Sequence, residues 1–298
     1  LTIEIPKDTQ VYYTLDGSIP TENSNAYNGE NFEIQTVTVL RARAFDLSGR
    51  LQPSETVTQT YLLNVYHTMP IVSLVADPDE LWNEQTGMFA IGGELVKEPG
   101  KLPFKLTTGE YPLFRTIGKV ARPGHVEMYS LEGEQLLSQG MEFGLQGQYS
   151  LDMPQKTFKV RAKAKYGART FSAALFEDRE YTEYKSFVLR NSGNDCVWTR
   201  LNDGLQGRLI DRFNEVTDTP STVIHQAWKP VAVYLNGTYW GHYNLRERVD
   251  RFFVAQHEGL PLEQADQMDI LEASGTVNFG SRSEYRAMIA KVKDSSPG

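Results

Sequence analysis

The chain is poor in the groups from which ready-made sites are built. Its 298 residues include a single cysteine, Cys196, which excludes an intramolecular disulfide and any cysteine-based zinc site. Asp195 and Val197 beside it offer nothing that would activate a thiolate, so a buried structural thiol is expected. The histidines at 67, 125, 225, 242 and 257 form neither an H-E-x-x-H motif nor a close pair, and so suggest no metal site. No G-x-S-x-G elbow is present, and carboxylates are too numerous for a glycosidase pair to stand out. No apolar run approaches the roughly 18 residues that a membrane span requires. Positive charge is also scarce. The formal net charge of -8 and pI near 5.3 argue against broad nucleic-acid binding, which needs a basic face.

What is present describes a folded protein rich in sheet. A hydrophobic content of 40% with 23% charged residues is ordinary for a globular chain, and 15 Tyr with 14 Phe favour strands. The length suits two domains. The sequence opens on Leu1 inside a strand-like pattern and closes on Ser-Ser-Pro-Gly, so we expect an excised piece of a longer protein whose targeting segment is missing.

Residues 1 to about 64 alternate in short pieces separated by Asp16-Gly17-Ser18, Asn28-Gly29 and Ser48-Gly49, with no helical stretch between them. This spacing predicts a small antiparallel β-sandwich. Asp16 can cap its turn, Gly17 supplies a permissive backbone and Pro20 ends the strand. Tyr12, Tyr13 and Tyr27 are candidates for stacking on sugars. After a connection at 65–70, Ile71–Val75 reads as a buried strand, and Asp77-Pro78 starts a short helix with acidic residues in its first turn. The Gly- and Pro-rich passage from Gly92 to Lys105 reads as a mobile loop. Strands are expected at 125–130, 139–145, 156–164 and 187–190. A helix from Thr199 to Phe213 would place Leu201, Leu205, Leu209, Ile210 and Phe213 on one stripe, and a last helix would run from Ser283 to Val292.

The most telling stretch is 230–251. Val231, Val233 and Leu235 precede Asn236-Gly237, and Tyr239, Gly241, Tyr243 and Leu245 follow it with the same period of two. Asn-Gly between alternating hydrophobics predicts a type I′ hairpin, because both central residues need positive φ. The second strand runs into a charged cluster, Glu247, Arg248 and Asp250. Upstream lie a glycine turn from Gly144 to Gly147 and a strand opened by Lys156. In that strand Phe158 and Val160 face one way, while Lys159, Arg161, Lys163 and Lys165 face the other, as a solvated, edge-protecting face would. The following helix carries Arg200, Asp203 and Arg208.

Two resemblances emerge from these strings. VYYTLDGSIPTENSNAYNG resembles the small Ig-like module at the C-terminus of chitobiase and other β-hexosaminidases. The strings MPIVSLVADPDELWNEQTGMF, PGHVEMYSLEG, GLQGQYSLDMPQKTFKVRAKAKYG, YKSFVLRNSGNDCVWTRLNDGL and VYLNGTYWGHYNLRERVD, in that order, resemble the CotH family of spore-coat-type atypical kinases over residues 68 to about 275. The resemblance implies a β-sandwich at 1–66 followed by an α+β kinase-like domain at 67–298, mainly its N-terminal lobe. It also implies phosphoryl transfer from ATP, with Mg or Mn, to Ser-rich coat or surface proteins. Lys156, Gly147, Asp203 and Glu247 would then be nucleotide-binding, Lys156 meeting the phosphates and Asp203 or a nearby helix carboxylate serving as its partner. The order also matches that of a protein-kinase N-lobe, although G-x-G-x-x-G and V-A-I-K are both missing. The family's late W-D-x-D aspartates do not occur before Gly298, and Asp266 and Asp269 do not fit their place. Metal-binding and catalytic residues are therefore expected beyond Gly298, and this fragment alone should be inactive. A secreted or surface location is implied by the N-terminal module. The alternative is a non-catalytic adhesion protein that contacts cell-wall or other glycans through residues 1–66.

Overall fold

A computed structural model describes residues 3–96, 104–217 and 223–295, with the side chain of Asp203 outside the description. The sequence alternation at the N-terminus forms β1 (Thr9–Thr14), β2 (Asn25–Ala26), β3 (Thr38–Asp46) and β4 (Val57–Tyr61), which pair in the order β2-β1-β3-β4. All three pairings are antiparallel. One face of this sheet buries Val11, Tyr27 and Ala42. The tyrosine rings are occupied within the unit: Tyr13 stacks on Phe32 at 5.2 Å, Tyr12 meets Phe45 edge-on, and Tyr27 is buried. Asp16 accepts from the Ser18 N–H at 2.9 Å, as its turn requires.

The second unit is dominated by strand. β5 (Ile71–Val75), β6 (Arg122–Tyr129), β7 (Gln135–Gln146), β8 (Thr157–Arg161), β11 (Ser186–Arg190), β12 (Trp228–Leu235) and β13 (Thr238–Glu247) close into a barrel in the order β11-β13-β12-β5-β6-β7-β8. Between β8 and β11 lies a small hairpin, β9 (Phe171–Ser172) with β10 (Glu183–Tyr184), and β14 (Ile270–Leu271) pairs with β15 (Val277–Phe279) near the end. Four helices flank this frame: α1 (Pro78–Trp82), α2 (Asn202–Thr217), α3 (Arg251–His257) and α4 (Ser283–Asp294). The unit expected to be α+β is thus mostly strand, a closed barrel with few helices outside it. Closure removes sheet edges, so β8 is paired on both sides, with β7 and β11, and its cationic face guards no edge. Leu74, Phe143, Leu145, Phe158, Phe187 and Leu245 fill the barrel core.

The stripe expected to bury α2 does the opposite. Leu205, Leu209 and Phe213 are exposed, and the helix approaches the barrel through Gly204, where an added Cβ would lie 2.3 Å from the Trp228 ring. Glycine allows the contact because it brings backbone against ring. The Gly92-to-Lys105 passage falls outside the described residues at 97–103.

Among the hydrogen bonds that join the units, two groups stand out. Asn236 and Gly237 adopt φ values of 47° and 76°, as a type I′ turn demands. The Asn236 side chain accepts from the Ala76 N–H at 2.9 Å, donates to the Ala76 carbonyl at 2.8 Å, and reaches the Asp16 carbonyl at 3.3 Å. At the other contact, Glu127 of β6 is fully buried and accepts from the Thr60 N–H at 2.9 Å and from Tyr129 at 3.0 Å. Burial pushes its carboxyl above the ordinary range, although hydrogen bonds from Thr60, Tyr129 and Gln135 pull the other way.

Candidate functional site

Strand alternation sends Phe158 and Val160 of β8 into the core and Lys159 and Arg161 outward. The same period places Val188 and Arg190 of β11, and Arg246 of β13, on the outer wall. There they line a cavity of about 670 Å³ together with Lys119, Arg248 and the 145–148 turn, while α2 contributes Gln206. Gly147 sits at φ +129°, and a Cβ there would lie 2.4 Å from Ser150 Oγ, so the turn passes close only because the residue is glycine.

The cavity concentrates positive charge on a chain that is acidic overall. Burial, followed by repulsion from Arg161, Arg248 and Lys119 and partly offset by Glu142, holds the Lys159 ammonium below the ordinary lysine range. Glu142 is itself shared with Arg161 at 3.6 Å and Lys163 at 3.5 Å. Arg248 pairs with Asp250 at 2.9 Å. Lys159 is thus a cation held mainly among cations, an arrangement that an arriving polyanion relieves.

Lys156 is placed differently. Its ammonium turns from the cavity and donates to the carbonyls of Leu151 at 2.6 Å and Met153 at 3.1 Å, 4.0 Å from the centroid of Phe114. Burial, opposed by Asp152 and assisted by Arg115, lowers its pKa to about 8. This geometry closes the short 3-10 turn at Tyr149–Asp152 rather than presenting a charge to a ligand.

Glu247 also points inward. It accepts from the Ala227 N–H at 2.7 Å and from Arg179 Nε at 3.1 Å, is bonded by the Tyr181 hydroxyl, and lies 3.5 Å from His257. Burial would raise its pKa, but the bonds from His257, Ala227 and Tyr181 and the Arg179 charge hold it below the ordinary value. It welds β13 to the 179–181 segment and to α3. The helix partner expected for a phosphate lysine is not seen among the described side chains of α2. Asp211 goes to His225 at 2.8 Å and Glu215 to Arg212 at 2.7 Å, and the Asp203 side chain lies outside the description.

The polar run after β11 supports the cavity wall. Asn191 accepts from Thr157 Oγ1 at 2.8 Å and from the Gly193 N–H at 2.9 Å, and donates to the Gln155 carbonyl at 2.6 Å. Asn244 of β13 donates to Ser192 Oγ and to the Arg200 carbonyl, and accepts from Trp228 Nε1. Ser192 and Arg200 adopt φ values of 76° and 63°, held there by this network. Sequence reasoning passed over Lys159 as solvated and did not select Lys119 or Arg246. Alternation in β8 and β13 was the available signal, but closure of the barrel was needed to bring those strands onto one wall.

Among the described residues, no group of three or more His, Cys, Asp or Glu side chains could hold a metal ion, and no helix is long and apolar enough to cross a membrane. Among curated proteins, none matches the sequence. Residues 1–58 match the chitobiase/beta-hexosaminidase C-terminal domain. Residues 144–295, slightly more than half of the chain, match the CotH kinase protein model, a span that holds the glycine turn, β8, β11, α2 and β13. With every wall of the basic cavity except Lys119 inside that span, the chain belongs to the CotH kinase protein family.

Proposed function

We propose that the outer wall of β8, β11 and β13 binds the phosphates of ATP, and that the protein of which this chain is part transfers phosphate to Ser-rich surface or coat proteins. The observation that carries this reading is Lys159, depressed by burial and by Arg161, Arg248 and Lys119, on a cavity of about 670 Å³ rimmed by the Gly147 turn. Lys159, Arg190 and Arg246 would hold the phosphates, beside the Gly147 turn that also lines the cavity. Bound ATP would supply the transferable phosphoryl group. The contribution of this chain is positioning and charge compensation, the larger share of catalysis in phosphoryl transfer. The described residues offer no donor set for a divalent metal, so we derive no step through Mg or Mn. Extracytoplasmic location belongs to the same proposal, supported by the chitobiase-type module.

Isothermal titration of the chain with ATP should give saturable binding that Lys159→Ala weakens. With the full-length protein, ATP and Mg or Mn, a Ser-rich acceptor should be labelled. Failure to bind ATP, ADP or pyrophosphate at low salt would remove the basis of the reading.

A further inference from the structure

Beside the wall assigned to ATP lies another cavity, of about 360 Å³, which shares Arg248 and Asn278 with it. Its remaining lining comes from the end of β8 and the loop that follows, the start of β11, α3 and β15. Arg161, Lys163, Arg169, Lys185, Arg248 and Arg251 bring six cations to it, and Asp250 is the one carboxylate in the lining. On a chain of net charge -8 this is a marked local excess.

The carboxylates within reach do not use that excess up. Asp250 accepts from Arg248 at 2.9 Å and from Ser186 Oγ at 3.2 Å, and its other oxygen caps α3 through the Phe252 N–H at 3.0 Å. From outside the lining, Glu142 reaches Arg161 at 3.6 Å and Lys163 at 3.5 Å, and Asp266 reaches Arg251 at 2.6 Å. Cations still outnumber these carboxylates two to one. Lys185 Nζ reaches the Arg169 carbonyl at 3.3 Å, and neither of those two cations has an ion pair among the described residues. The side chains of Arg161, Lys163, Arg248 and Arg251 retain between 24% and 49% of their surface, so a ligand can reach them. Burial, opposed by Asp250 and assisted by Arg161 and Arg251, lowers the Arg248 pKa below the ordinary arginine value. Phe252 and Phe279 brace Arg251, whose guanidinium lies 4.3 Å and 4.1 Å from their centroids.

Such a lining selects an anion, because an apolar ligand would desolvate the cations without pairing them. A carboxylate side chain brings one charge and two oxygens. A phosphomonoester brings nearly two charges and three acceptor oxygens, and so engages several arginines and lysines at once. A Ser-rich acceptor acquires this group with each transfer. Extended peptide advances only about 3.3 Å per residue, so one short segment can reach both cavities across Arg248.

We propose that this cavity binds a phosphoserine of the acceptor protein, so that the product of one transfer holds a neighbouring serine at the nucleotide wall. The inference rests on the reading of that wall as the ATP site.

The test is fluorescence anisotropy of the whole chain, near neutral pH and at low salt, with a labelled Gly-Ser peptide carrying one phosphoserine, its unphosphorylated twin and a twin with glutamate in place of the phosphoserine. The phosphopeptide should bind at least about tenfold more tightly than either twin and than inorganic phosphate used as competitor, and saturating ATP should leave it bound. Arg169→Ala, at an exposed position, and Lys185→Gln, which keeps most of the stem, should each weaken it by about fivefold while ATP affinity and Tm stay unchanged. The proposal is overturned if the phosphopeptide does not bind, if the glutamate twin or inorganic phosphate matches it, if ATP displaces it, or if both variants bind it as the parent does. ATP binding without phosphopeptide binding would leave the nucleotide reading standing and remove this inference. Phosphopeptide binding without ATP binding would remove the nucleotide reading and leave the cavity its ligand.

Discussion

Of the two lysines in the β8 segment, one is bonded to its own turn and the other is proposed to meet phosphate, and exchanging each for alanine tests that assignment. Lys156 sits 8% exposed, with two carbonyl acceptors and an aromatic face. Hydrogen bonds to a charged group are worth about 1.5–3 kcal/mol each. Against them stands the desolvation that lowers its pKa from 10.5 to about 8, at about 1.4 kcal/mol per unit an opposing term of similar size. Charge and bonds therefore nearly cancel, and Lys156→Met should change stability by less than about 1.5 kcal/mol. Lys156→Ala also removes the buried stem, so a loss of about 2–4 kcal/mol is expected, or roughly 3–6 °C in Tm for a chain of this size. Its ATP affinity should stay within about threefold of the parent. The pH dependence has a definite sign. Between pH 8 and 10.5 the unfolded chain holds more of this proton than the folded one, so the parent should gain stability over that window relative to Lys156→Met. Lys159→Ala should do the reverse, costing little in Tm but one phosphate contact of about 1.5–3 kcal/mol, a tenfold to roughly 150-fold loss in affinity. Differential scanning fluorimetry and ATP titration on the same preparations decide the matter. If Lys156→Ala loses ATP binding at unchanged Tm while Lys159→Ala keeps it, the assignment is reversed.

Three further outcomes follow from the packing. Glu247→Gln breaks a buried ion pair with Arg179 and should cost about 3–5 kcal/mol in urea denaturation at pH 7. Because the folded carboxyl lies below 4.5, that contribution is present above the unfolded value and lost as pH falls through the folded one, so the gap between parent and variant should shrink in acid. Asn236→Ala removes both bonds to Ala76 and puts an alanine at φ 47°, so a loss of about 2–3 kcal/mol is expected, with faster proteolysis between the two units. A Gly237→Ala control carrying no comparable loss would count against the turn argument. Gly204→Ala places a methyl 2.3 Å from the Trp228 ring, and should lower stability by about 1–3 kcal/mol and shift tryptophan fluorescence. An unchanged spectrum would mean that α2 does not rest on that ring.

Local chemistry was the legible part of this molecule. The Asn236-Gly237 hairpin, the Asp77-Pro78 helix start and the terminal helix follow from rules reaching only a few residues along the chain, and each occurs where those rules put it. The α2 stripe failed for a physical reason. Periodicity reports which face is apolar, but Gly204 allowed the helix to approach the barrel by its other face, with the leucines left outside. Lys156 was singled out for opening a strand, yet whether a side chain at that position turns toward a ligand or back onto its own turn depends on carbonyls in a 3-10 segment that no residue pattern announces.

From sequence alone came the two family resemblances, the alternation that divides Phe158 and Val160 from Lys159 and Arg161, and the turn chemistry of Asn236-Gly237. Tertiary structure decided which cations share a site. Lys119, Lys159, Arg190 and the Arg246–Arg248 pair come from separate segments and meet on one wall only because β7, β8, β11 and β13 lie side by side in a closed barrel. It also decided that Glu247 and Lys156 are held inside. Periodicity is a property of each strand by itself, whereas charge repulsion and burial arise between strands distant along the chain, and pairing across the barrel is what brings them together.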